Sequence, residues 1–137
     1  MTSTTPSTRT AKNSGTRKTY CLRRTVPIEE GYDIVVAGGG PAGCGAAISA
    51  ARLGAKVLLI EGTGCLGGMG TSGLVSLWYE IADGERMIVG GIVREIIETL
   101  FSRGQLPRDS NPEVFQKTLH GGTSFQPEVL KRLLDEL

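Results

Sequence analysis

No long apolar run occurs in this 137-residue chain, in which hydrophobic residues make up 39% and aromatic residues 5%. That excludes a helical membrane span and limits the chain to one modest soluble domain. Acidic residues are missing before Glu29, whereas Arg9, Lys12, Arg17, Lys18, Arg23 and Arg24 precede it, so a net charge of +1 conceals a basic leader and an acidic remainder. The remainder has no basic stripe, which excludes nucleic acid as a partner. The three cysteines, Cys21, Cys44 and Cys65, form no CxxC or metal-ligand spacing. No metal site is expected, and a reduced cytoplasmic setting fits. Bulky apolar residues are almost absent from positions 1–20, so this segment cannot offset the entropy of ordering. Residues 1–30 are read as a disordered basic Ser/Thr-rich tail and lead-in, with a short extended piece from Leu22 to Pro27. The tail lacks both the apolar face of an organelle transit peptide and the apolar core of a secretory signal.

What is present is concentrated between Tyr32 and Glu61. The apolar run Ile34-Val35-Val36-Ala37 enters Gly38-Gly39-Gly40-Pro41-Ala42-Gly43, a small-residue helix follows, and Val57-Leu58-Leu59-Ile60 leads to Glu61. Strand, glycine turn, helix, strand and acid make up a dinucleotide-binding βαβ unit. Gly38 permits the tight turn, Gly40 lets backbone approach a pyrophosphate, and Gly43 lets the helix pack against the strand. Pro41, without an N–H, suits the first helical turn, whose remaining amides and positive dipole end face the phosphates. Cys44, Gly45, Ala46, Ala47, Ala50, Ala51 and Gly54 keep the helix small where it meets the sheet. Glu61, at the end of the second strand, is placed to accept hydrogen bonds from both ribose hydroxyls of an adenosine and to repel a 2′-phosphate. FAD or NAD is therefore expected, rather than NADP.

The second informative stretch runs from Gly62 to Gly73 and is rich in glycine, with Leu66 and Met69 as apolar anchors. Directly after a ribose-binding acid, such a loop suits backbone that wraps a large ligand at close range. Cys65 within it reads either as a thiol near substrate or as a small loop residue. Cys44 reads as a packing residue.

Together, Tyr32 to Gly43, Glu61, Leu66-Gly67-Gly68-Met69 and Val89-Gly90-Gly91-Ile92 resemble the N-terminal part of the FAD-dependent oxidoreductases with a glutathione-reductase-type flavin domain. The resemblance covers about residues 31–137. It implies an α/β fold containing a Rossmann-like βαβ unit, incomplete here, with FAD as cofactor. It also implies that Gly38, Gly40, Ala42 and Gly43 meet the pyrophosphate, Glu61 the adenosine ribose, and Gly68 and Met69 the flavin ring. With Pro41, Gly62 and Gly67 these form the candidate cofactor set; no catalytic residue is identified. Two departures limit the likeness: Met69-Gly70-Thr71-Ser72-Gly73 stands where the disulfide reductases of this superfamily carry a cysteine pair, and the late Gly-Asp element that holds the ribityl chain has no counterpart before Leu137.

The rest reads as scaffold. Ser76–Ile81 and Arg86–Val89 form either a hairpin across Asp83-Gly84, with a type I′ turn, or one long loop. Ile92, Val93, Ile96, Ile97, Leu100 and Phe101 recur with helical spacing until Gly104. A short helix is expected over Pro112–Leu119, and another opens at Pro127 with Val129, Leu130, Leu133, Leu134 and Leu137 on its apolar side. His120 is a general base or an incidental loop residue; Trp78 suits core packing; Tyr79 and Glu80 are candidates for approaching substrate; Arg86 and Arg94 clamp a carboxylate or are solvated. These elements are too few for a doubly wound sheet, so the chain reads as part of a flavoprotein whose C-terminal portion is needed alongside a small-molecule substrate and an electron acceptor. The alternatives are an NAD-binding dehydrogenase segment, which leaves the Leu66–Gly73 loop unexplained, and a non-catalytic dinucleotide-binding fragment.

Overall fold

A computed structural model of the chain describes Cys21, residues 25–111, Glu113, Lys117 and residues 121–137. The tail at 1–20, Leu22 to Arg24, His120 and most of the helix expected over Pro112–Leu119 lie outside the described residues. β1 (Ile34–Ala37), α1 (Pro41–Arg52) and β2 (Val57–Ile60) form the expected unit, the two strands pairing in parallel with Ile34 opposite Val57 and Ala37 opposite Ile60. Register is set at one end by the Asp33 carboxylate, which accepts the Lys56 N–H at 2.7 Å. At the other end the Gly38 N–H donates to the Ile60 carbonyl at 2.7 Å.

α1 begins with Pro41 in its first turn and ends on Gly54, whose φ of +90° is open to glycine without steric cost. Gly54 N–H to Ala51 O at 2.9 Å and Ala55 N–H to Ala50 O at 3.2 Å close the helix in a Schellman arrangement. α2 (Ile92–Ser102) stops in the same way, with Gly104 N–H on Phe101 O and Gln105 N–H on Leu100 O, both at 2.9 Å. The stop read at Gly104 is thus a specific capping device. Arg52 reaches from the last turn of α1 to Glu95 in the first turn of α2 through two contacts of 2.7 and 2.8 Å.

The core lies among the helices. Ile48 of α1, Ile97 and Leu100 of α2, and Leu130 and Leu133 of α3 (Pro127–Glu136) pack together, and Ile97 and Leu100 are wholly buried. The apolar stripes read in both later helices are those that pack, except that Leu137 is exposed. Of the small residues in α1, Cys44 and Ala47 are buried, whereas Ala46 and Ala51 are exposed. α1 covers one face of the strand pair. On the other, Val35 is 58% and Ile60 51% exposed, although parallel strands are ordinarily buried on both faces.

The hairpin read across Asp83-Gly84 needs correction. Its turn forms: Asp83 N–H donates to Arg86 O at 3.1 Å, and the Asp83 carboxylate accepts the Glu85 and Arg86 amides at 2.9 Å. Positive φ occurs at Gly84 and not at Glu85, whereas type I′ needs it at both central residues. Beyond the turn, the described pairing is a bridge between Ala82 and Met87 with the Ile88 and Val89 N–H groups on Ile81 O. The preceding residues pair elsewhere: β3 (Leu77–Trp78) runs antiparallel to β4 (Thr123–Ser124). Trp78 stacks on Phe125 with ring centroids 4.0 Å apart, the packing role read for it. Arg86 and Arg94 sit against Asp83 at 3.7 Å and Glu98 at 2.7 Å, so both have local surface partners. No helix among the described residues is long and apolar enough to cross a membrane.

Candidate functional site

The turn between β1 and α1 separates its glycines by task. Gly38 has φ +103°, a conformation L side chains rarely adopt. A Cβ on Gly43 would overlap the Gly38 carbonyl oxygen and touch Val36 Cγ1 at 3.5 Å, so this glycine allows the close approach of helix and strand. Gly40 is different. It caps α1 in an extended conformation, and a Cβ there would meet nothing within 4 Å. No side chain caps α1 and its first turn carries no acid, while Pro41 and Ala42 are exposed beside it. An uncapped helix N-terminus with open space before it is a place for an anion.

Glu61 follows β2 directly and folds back on this turn. Its Oε1 accepts the Thr63 N–H at 2.6 Å and its Oε2 accepts the Gly39 N–H at 2.5 Å. The Thr63 amide, then the Gly39 amide and the Thr63 side chain, hold the carboxyl below its ordinary range, with a smaller contribution from the Gly62 N–H. A carboxylate has about four acceptor sites, so the two short amide bonds leave it capacity to accept from a ribose hydroxyl. Gly62 itself has open space where a side chain would stand.

Gly39 is gripped at its other end as well. Its carbonyl accepts the Gly67 N–H at 2.8 Å and the Cys44 thiol at 3.1 Å. Burial pushes the Cys44 thiol above its ordinary pKa, against the lowering effect of its backbone hydrogen bonds, so it stays protonated and acts as a buried donor. Gly67 and Gly68 adopt φ +98° and +50°, opening the 3₁₀ turn Gly68–Gly70. A Cβ on Gly68 would stand 2.9 Å from Gly40 Cα. The second glycine-rich stretch therefore presses on the first. Met69 projects from it, 60% exposed, over an apolar cavity of about 360 Å³ that Pro41, Val75, Trp78 and Ile92 also line.

Gly38, Gly40, Pro41, Ala42, Gly43, Glu61, Gly67, Gly68 and Met69 thus gather around the N-terminus of α1, with Gly62 on the flank. Three residues that matter here carry no motif signal. Gly39, an unassigned position within the glycine turn, is the hub of the hydrogen bonds; Thr63 fixes Glu61 through its backbone; and Thr71 is a hydroxyl residue wholly buried under the loop. Only the choice of glycine at 39 hints at its role, since a Cβ there would lie 2.6 Å from Leu66 Cδ2. Among the described residues no cluster of His, Cys, Asp and Glu suits a metal ion.

This geometry agrees with comparison to known proteins. Residues 33–137 match the family described as FAD dependent oxidoreductase. The chain belongs to this family. As an FAD dependent oxidoreductase it takes FAD as its cofactor, and its incomplete Rossmann-like unit is the family's α/β fold. It is 56% identical over 47 residues to a dihydrolipoyl dehydrogenase of Trypanosoma brucei brucei, covering 34% of this chain and 10% of that protein. It is 32% identical over 105 residues to an NADH:fumarate oxidoreductase of Klebsiella pneumoniae (strain 342), covering 76% of this chain and again 10% of the relative. The chain therefore spans about a tenth of the length of the curated relatives it matches. No solved structure matches it.

Proposed function

We propose that residues 31–137 are the N-terminal cofactor segment of an FAD-dependent oxidoreductase in which the flavin accepts hydride or electrons from a small-molecule substrate and passes them to an acceptor. The observation that carries this reading is the open position at Gly40 before the uncapped α1 N-terminus, with the Glu61 carboxylate 2.5 Å from the Gly39 amide on the adjoining side. In this reading Gly38, Gly40, Pro41, Ala42 and Gly43 cradle the pyrophosphate, Glu61 with Gly62 receives the adenosine ribose, and Gly67, Gly68 and Met69 border the flavin ring at the mouth of the apolar cavity. Flavin supplies the redox chemistry when bound; the chain's own residues bind and orient it and shield one side from water. The relatives are named for dihydrolipoyl and fumarate chemistry, and neither substrate is assigned to this chain. Dithiol chemistry has no support, because no cysteine pair follows Leu66-Gly67-Gly68.

The exposed Val35 and Ile60 side chains favour a further partner, namely the remaining portion of the same flavoprotein, laid over that face of the strand pair. The cysteine spacing supports a reducing cytoplasmic setting.

A titration of the purified chain with FAD, FMN and NAD, read by flavin fluorescence and thermal stability, tests the reading. Saturable FAD binding that is lost in Gly40→Val and weakened in Glu61→Ala is expected. Preference for NAD overturns the flavin assignment.

A further inference from the structure

Thr71 is wholly buried in the glycine-rich loop, and a hydroxyl taken out of water needs a partner. It donates to the Leu66 carbonyl at 2.6 Å, with the Gly68 carbonyl at 3.3 Å. The Leu66 carbonyl belongs to the same peptide group as the Gly67 N–H. That N–H donates in turn to Gly39 O at 2.8 Å, and Gly39 O shares its peptide with the Gly40 N–H. Every peptide here is trans, so N–H and C=O point in opposite directions across each unit. One directed chain of donors therefore runs from the Thr71 hydroxyl, through the 66–67 peptide and the 39–40 peptide, to the Gly40 amide at the open helix terminus.

We infer that Thr71 is a positioning residue for the cofactor site: its hydroxyl orients the 66–67 peptide, which fixes and polarises the 39–40 peptide whose Gly40 N–H faces the pyrophosphate position. This rests on the assignment of that position to FAD. Hydrogen bonds linked in series polarise one another, and each acceptor occupied upstream makes the N–H of the same peptide a stronger donor. The Thr71 methyl adds a steric part. A Cβ at Gly67 would stand 2.6 Å from Thr71 Cγ2, so threonine fills the space against which the Gly67 backbone rests. The arrangement also explains why the second glycine loop is locked to the first, since loosening the 66–67 peptide releases Gly39.

The test compares Thr71→Val, which keeps shape and removes the donor, with Thr71→Ser, which keeps the donor, and with Thr71→Cys as a poor donor should the valine variant fail to fold. Two quantities are read: the Gly40 and Gly67 amide resonances of the ligand-free ¹⁵N-labelled chain, and the dissociation constants for FAD and ADP well below the melting temperature. Expected are shifted Gly40 and Gly67 amides and a threefold to tenfold loss of affinity, about what one hydrogen bond contributes, for both ligands in Thr71→Val, restored in Thr71→Ser. Unmoved Gly40 resonances, or valine binding as well as wild type despite a lowered melting temperature, overturn the inference. A wild-type chain that binds neither ligand shows that the site needs the remaining portion of the flavoprotein, while the ligand-free resonances still decide the relay.

Discussion

The carbonyl oxygen of Gly38 occupies the space that a side chain on Gly43 would need. Two residues away the same turn leaves Gly40 entirely open. The glycines therefore answer differently to one added methyl. Gly43→Ala forces helix and strand apart at backbone, where nothing flexible can give, and should cost about 3 kcal/mol or more or prevent folding. Gly40→Ala fits the ligand-free fold, because φ is −68° and no atom is near. Its melting temperature should stay within about 2 °C of wild type, while FAD affinity falls by more than about tenfold as the methyl fills the pyrophosphate position. Thermal melts and a flavin titration of the two variants check both halves.

Glu61 gives a pH signature. Its carboxyl is held below its ordinary pKa by the Thr63 and Gly39 amides, so its stabilising effect is fully present above the unfolded-state value and is lost as pH falls through the folded value. Glu61→Gln should therefore be less stable than wild type at neutral pH, since an amide cannot accept from both N–H groups. The difference should shrink as pH falls below the ordinary carboxylate range and vanish once the native carboxyl is itself protonated. Melting curves of both proteins across that range measure it. Asp83 and Glu95 are also depressed, and they titrate alike in both chains, so the difference isolates Glu61.

The β1–α1–β2 unit was legible because everything that specifies it is local: glycines at fixed spacing, Pro41 at the helix start and an acid at the strand end. The helices over Ile92–Ser102 and Pro127–Glu136 were legible from periodicity. The pairing of Leu77–Trp78 with Thr123–Ser124 was not, because two-residue strands carry no alternation and their partners lie far apart in the chain. The Asp83-Gly84 turn was visible, yet the strands around it were drawn into tertiary contacts. At the site, residue types pointed to Glu61 and the glycines. The amides of Gly39, Thr63 and Gly67 that organise them are backbone groups, which every residue has and no motif marks.

Gly122 makes the hidden pairing testable. A Cβ at this position would overlap the Trp78 carbonyl oxygen and stand 2.9 Å from Tyr79 Cα. Gly122→Ala should separate β3 from β4, disturb the stacking of Trp78 on Phe125, and cost about 2 kcal/mol or more. Tryptophan fluorescence reports it directly, since Trp78 is the sole tryptophan. A spectrum and melting temperature equal to wild type would show that the two short strands do not pair.

The three thiols should separate by reactivity. Cys21 is exposed, Cys65 is half-buried with its Sγ 3.1 Å from Ser72 Oγ, and Cys44 is buried with its Sγ on the Gly39 carbonyl. Alkylation requires both access and thiolate, and burial withdraws both from Cys44. Iodoacetamide at neutral pH should label Cys21 first and Cys65 more slowly, leaving Cys44 unmodified until the chain unfolds; peptide mass mapping over time follows each site. Cys44→Ser keeps a donor to Gly39 O and should bind FAD nearly as wild type does. Cys44→Ala leaves that carbonyl with Gly67 alone and should lower affinity by about threefold. Rapid labelling of Cys44 in the folded chain would mean that α1 opens at its first turn, in conflict with the packing found there.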